Sequence, residues 1–241
     1  MRHSPVNLFH AVSVRELIRP ISALAFASLL SCVLLALRAV LLGHAGQLYL
    51  VWNLFLAWMP LIFALTAVCL AQTFPQRRLW CLAAGAAWLL FFPNAPYILT
   101  DLIHLGAKNH SRFWTDLVMI LLFSLIGLVL GFLSLFLMQR LVARRYGWPA
   151  GWGFVSVVAA LCGFGIYAGR FFRWNSWDVV FNPLDLLADT GTWLFSIPHT
   201  PRALFIPVLF ATLVFIAYVM LYALTHLPSR GPQTTLVRSP A

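Results

Sequence analysis

Apolar residues run along this chain in stretches too long and too even for surface helices. Two of them, 117–138 and 203–225, carry no charged residue over 22 and 23 positions. As helices rising roughly 1.5 Å per residue, they reach about 33 Å or more, enough to cross a hydrocarbon core of about 30 Å. Four more stretches follow, giving six predicted spans at about 21–43, 48–71, 79–99, 116–138, 150–170 and 202–225. Inside a bilayer every backbone polar group must be satisfied internally, so the expected fold is an all-α polytopic membrane helix bundle. A single transmembrane domain is expected over 1–225. The Pro-, Ser-, Thr- and Gly-rich segment 226–241 is expected to be a disordered cytoplasmic tail.

The third span breaks its own pattern. Residues 91–105 read FFPNAPYILTDLIHL, with two prolines, an asparagine, an aspartate and a histidine at the far end of an oily segment. Asn94 lies 14 residues beyond Trp80, about 21 Å across the core. Pro93 and Pro96 remove two backbone donors and disfavour helical geometry in Phe92 and Ala95, so the third helix is predicted to break there. Carbonyls near 89–92 then lose their usual partners, which at this depth requires protein or a wet cavity to satisfy them. Asn94 is expected to cap a second short helix running to Gly106. On that helix Tyr97, Asp101 and His104, spaced by four and three, predict one stripe, with Asp101 and His104 at the outer interface.

The longest connection, 171–201, contains NPLDLLAD. Asn182 as cap, Pro183 in the first turn and Asp185 near the positive end predict a short surface helix between spans five and six. Leu184, Leu187 and Ala188 on one side of it predict that it lies along the membrane surface. GxxxG pairs at Gly127/Gly131 and Gly165/Gly169 predict close helix packing. Seven tryptophans, Trp52, Trp80, Trp114, Trp148, Trp152, Trp174 and Trp177, fall near span ends, where an amphipathic ring prefers to sit.

Composition agrees: 62% hydrophobic, 9% charged and mean hydropathy +0.89 leave too little polar surface for a soluble fold of 241 residues. The formal charge of +10 does not point to nucleic acid, because the basic residues sit in short loops rather than on one solvated face. They order the topology instead. The N-terminus, second connection, fourth connection and tail hold ten basic residues and Glu16; the opposite connections hold six, with all five aspartates. Both termini are therefore expected in the cytoplasm, with Asp101, Asp116, Asp178, Asp185 and Asp189 on the outer face. Cytosolic nucleotide chemistry is disfavoured, since no glycine-rich phosphate loop is present. The apolar run 21–43 is too long for a cleaved signal peptide, so a retained first helix is expected. Cys32, Cys69, Cys81 and Cys162 lie in or beside apolar runs without CxxC spacing, as small core residues do.

Asp101 and His104 are the candidate catalytic pair. At i, i+3 a carboxylate can hold an imidazole as a base, or the two can share a metal, although a solvated or salt-bridged helix end is the simpler reading. The spacing indicates no definite metal site and no particular cofactor. The second cluster is GRFFRWNSWD, 169–178. Arg170 and Arg173 can pair with Asp101 or Asp178, or present forks to an anionic headgroup at the outer face. Asn94, Tyr97, Arg170, Arg173, Asn175 and Asp178 are the candidate binding residues. Asp116, in a first helical turn, reads as structural, and His110 and His199 as solvated loop residues.

The runs NAPYILTDLIHL, WTDL, LGFLSLFLMQ and GIYAGRFFRWNSWD with a downstream NP resemble a bacterial multi-pass membrane family known as domain of unknown function 1361, over about 50–225. The resemblance implies a whole member, in the bacterial plasma membrane. It implies that Asn94, Pro96, Tyr97, Thr100, Asp101, His104, Arg170, Arg173, Trp174, Asn175 and Asp178 match the family's motifs, and it carries no catalytic role.

Three roles fit, in this order. The first is an accessory or structural membrane protein whose outer polar cluster joins helix ends. The second is a membrane enzyme acting on lipid or envelope-precursor headgroups. The third is a transporter or channel, disfavoured because the span middles lack ionisable residues and no internal repeat is visible. Beyond the lipid bilayer, no protein partner is indicated.

Overall fold

A computed structural model describes residues 14–43, 46–105, 113–197 and 202–225. Lys108, His110, Arg112, His199 and the tail 226–241 lie outside them. The helices are α1 (Val14–Leu42), α2 (Tyr49–Thr73), α3 (Arg78–Phe91), α4 (Asn94–Tyr97), α5 (Phe113–Tyr146), α6 (Trp148–Tyr167), α7 (Asp178–Phe181), α8 (Pro183–Ser196) and α9 (Arg202–Thr225). A 3₁₀ helix, Ile98–Leu105, continues α4, and a π turn, Ala168–Phe172, extends α6. Six helical runs are long and apolar enough to cross a membrane, and they coincide with the six predicted spans. The chain is an all-α polytopic bundle.

α5 is the axis. α1, α2, α4, the 3₁₀ helix and α6 all pack on it, and α9 packs on α6. Ile120, Phe123, Leu130 and Leu135 of α5 are fully enclosed. α5 runs eight residues beyond the predicted end at 138, to Tyr146, because Gly147 rather than the first arginine stops it. At φ +93 Gly147 adopts a conformation that a side chain would strain, and Pro149 then opens α6.

The third span breaks where predicted, but as a bend and not as an extended step. Phe92 and Pro93 keep helical dihedrals, contrary to the expected effect of a following proline on Phe92. Packing decides this. A Cβ on Gly127 would stand 2.6 Å from the Ala95 carbonyl oxygen, and one on Gly131 would stand 2.9 Å from the Ala95 methyl. From the other side a Cβ on Gly165 would fall 2.6 Å from the Pro93 ring, and one on Gly169 would fall 3.2 Å from the Tyr97 ring. Both GxxxG pairs therefore grip the same five-residue segment, PNAPY (93–97), one from α5 and the other from α6 and its π turn.

The exposed backbone is repaired from afar. Ser176 donates to the Leu90 carbonyl (3.0 Å). Asn94 does not cap α4 as expected: its Nδ2 reaches back to the Phe91 carbonyl (3.0 Å) and across to Ser176 Oγ (2.8 Å). α8 occupies the predicted surface position and extends it to Ser196, with Leu184, Leu187 and Phe195 exposed. Asn182 stands at its N-cap position, but its side-chain oxygen accepts no helix N–H, and its Nδ2 donates to Asp178 Oδ1 (3.1 Å).

Candidate functional site

The ends of α1, the 3₁₀ helix and α6 meet the starts of α2 and α5 at one end of the bundle, which carries Asp101 and Asp116 and is called here the aspartate end. Asp101 lies on the 3₁₀ helix with only 2% of its surface exposed. Such a carboxylate needs neighbours. Asn53 Nδ2 of α2 donates to Asp101 Oδ2 (2.8 Å). The guanidinium of Arg170 stands 3.6 Å from Oδ1, and His104 Nε2 stands 3.8 Å from the same oxygen. Arg170 Nη2 is also 3.4 Å from His104 Nε2. His104 is half exposed and meets the Tyr49 ring edge-on at 5.5 Å between centroids.

The predicted stripe is only half present. A 3₁₀ helix has about 3.0 residues per turn, so residues three apart eclipse while residues four apart are rotated by about 120°. Asp101 and His104 therefore face together, and Tyr97 turns away onto Gly169. Among the described residues no group of three or more His, Cys, Asp or Glu side chains is arranged to hold a metal.

Of the two arginines, only Arg170 joins this cluster. The π turn ends at Arg173, whose φ of 62° swings it out of line, and its exposed guanidinium makes no ion pair among the described residues. Asp178 meets neither arginine. It accepts from the Asn175 backbone N–H (2.7 Å) and from Asn182, fixing the turn that leads to α7. Trp174 Nε1 donates to Asp189 (2.9 Å), tying that turn to α8. Asp116, expected to serve the first turn of its helix, also makes an ion pair with Arg38 of α1.

Beside the cluster lies a cavity of about 620 Å³ between α2 and α3 on one side and α6 on the other, roofed by residues 174–176, Val179 and Leu186. Its deeper wall is apolar, with Leu56, Ala86, Ala87, Leu161 and Phe164. Its upper part carries Asn53, Asn94, Tyr97, Trp174, Asn175 and Ser176. Trp52, Leu161 and Val179 line it and are themselves exposed. Asn53 belongs to both features, since it lines the cavity and holds Asp101. A second cleft, about 590 Å³ between α1, α5 and α9, is walled almost wholly by carbon and contains none of the candidate residues.

Asn53 and Ser176 are what sequence reasoning missed. A signal existed for the first: Asn53 and Asn94 are the two asparagines within the six spans, where an unpaired amide is costly. Ser176 stands inside the GRFFRWNSWD run, but nothing local marks it within that run, because its partners are 82 and 86 positions away.

The broken helix and the turn after α6 thus meet at two points, Asp101 and His104 with Arg170 and Asn94 with Ser176, and residues 52–224 match the model of the family described as Protein of unknown function (DUF1361). The chain belongs to that family. No curated protein and no solved structure matches it. In this member of DUF1361 the two runs noted in sequence, NAPYILTDLIHL and GRFFRWNSWD, supply the bend, the buried carboxylate, its arginine and most of the polar roof.

Proposed function

We propose that this DUF1361 protein is a non-catalytic accessory membrane protein that holds a lipid-like amphiphile at its aspartate end. The observation that carries the reading is the division of labour around Asp101. Both carboxylate oxygens are engaged, by Asn53 on one side and by Arg170 and His104 on the other, so Asp101 braces three helices. A general base needs a free oxygen within reach of its substrate, and Asp101 does not line the cavity. The cavity beside it has an apolar depth and a polar roof, the two-part surface that an amphiphile's chain and headgroup require. The arginine asymmetry supports an orientation with both termini in the cytoplasm and this end on the outer face of a bacterial plasma membrane.

The test is native mass spectrometry of the purified chain released from lipid nanodiscs. The natural sequence should retain lipid through the release, and Ala87→Phe, which fills the cavity from α3, should retain much less. Equal retention by the two proteins overturns the reading.

A further inference from the structure

Resting on that reading, we propose that the cavity selects a lipid whose headgroup is uncharged and rich in hydroxyl donors, of the glycosyl-diacylglycerol type, over an anionic one.

The polar roof contains no Asp, Glu, Lys, Arg or His side chain. Arg170 is engaged with Asp101, and Arg173, although it directly precedes Trp174 of the roof, is exposed and is not part of the lining. A phosphate drawn into this space would leave water without a counter-charge, which is strongly unfavourable.

The hydrogen-bond polarity of the roof is set by its partners. Asn53 must present Nδ2 to the Asp101 carboxylate, and Asn94 must present Nδ2 to the Phe91 carbonyl. Neither amide can flip without placing oxygen against oxygen. Each is thereby left with Oδ1 as its acceptor, and no side chain among the described residues donates to either atom. The Tyr97 hydroxyl, likewise without a protein partner among the described residues, can both give and accept. The other donors of the roof, Trp174 Nε1, Asn175 Nδ2 and Ser176 Oγ, are turned to Asp189, Asp178 and the Leu90 carbonyl, so a roof left with two amide oxygens and one hydroxyl asks its ligand chiefly for donors. Sugar hydroxyls provide them without bringing a charge, whereas a phospholipid headgroup, even one with hydroxyl or ammonium donors, must also bring in an anionic phosphate that can only accept. Trp52 and Trp174 flank this roof and offer flat apolar faces, which suit the C–H faces of a sugar ring.

The experiment offers the full-length protein, in detergent, an equimolar mixture of glucosyl-diacylglycerol, phosphatidylglycerol, phosphatidylethanolamine and plain diacylglycerol of matched chains, and counts the adducts by native mass spectrometry. Glucosyl-diacylglycerol should exceed phosphatidylglycerol by about tenfold. Tyr97→Phe, which keeps the ring on Gly169 and removes only the hydroxyl, should reduce that ratio several-fold. Preferential retention of phosphatidylglycerol or phosphatidylethanolamine overturns the headgroup proposal while leaving the cavity reading in place if Ala87→Phe still abolishes retention. Equal retention of all four lipids also overturns it. Adducts indifferent to Ala87→Phe overturn both.

Discussion

Asn53 Nδ2 and Asp101 Oδ2 stand 2.8 Å apart, joining the first turns of α2 to the buried face of the 3₁₀ helix across 48 positions of sequence. This bond takes up one side of the one deeply buried carboxylate among the described residues, and Asn53 itself lines the cavity. Asn53→Leu should therefore act twice. The lost bond leaves a buried acceptor unsatisfied, a penalty of about 1–3 kcal/mol. Thermal unfolding of the detergent-solubilised protein should show a clear fall in Tm, and an unchanged Tm would rule out a bracing role.

Asp101 and Arg170 should behave as a coupled pair. Arg170→Met leaves the carboxylate without its cation and is expected to be severe, about 3–5 kcal/mol by analogy with other broken buried pairs. Asp101→Leu leaves a partly solvated guanidinium and should be milder. The double variant, with neither charge, should be more stable than Arg170→Met alone. Additive effects in denaturant unfolding would show that the two groups do not interact.

The grip on PNAPY predicts opposite outcomes for two glycines of the same helix. Gly165→Ala drives a methyl to 2.6 Å from Pro93 and should destabilise by about 1–3 kcal/mol, despite the better helix propensity of alanine. Gly153→Ala meets nothing within 4 Å and should be neutral or slightly stabilising. Comparable Tm values for the two variants would contradict the close approach of α6 to the bend.

Orientation can be read by labelling. With the four cysteines replaced by alanine, Asp185→Cys in α8 should react with a membrane-impermeant maleimide added to intact cells, and Arg77→Cys should react only after lysis. The reverse pattern would invert the topology inferred from the arginine count.

Much of this molecule is legible in its sequence. Hydropathy located all six spans, and the prolines located the bend, because crossing a bilayer and lacking an N–H are properties of short stretches. The surface helix after Asn182 is legible for the same reason, since first-turn preferences are local, whereas the partner of Asp116, Arg38, is 78 positions away and was not. Some local expectations were overruled. Phe92 stays helical before a proline and Asn94 turns backward, because glycines on α5 and α6 admit the bent segment and Ser176 supplies a distant hydroxyl.

The candidate site divides along the same line. Sequence by itself determined that Asp101, His104, Arg170, Arg173 and Asp178 share one end of a membrane bundle, since charge and span order place them there. Tertiary structure alone decided that Arg170 pairs with Asp101 while Arg173 turns away and Asp178 holds its own turn. A pairing depends on the angle at which each helix ends, and those angles are set by the 3₁₀ helix, packed on α2 and α5, and by the π turn that closes α6. Spacing along a chain cannot carry that information, because a change of about 20° per residue between helix types moves a side chain to another face within one turn.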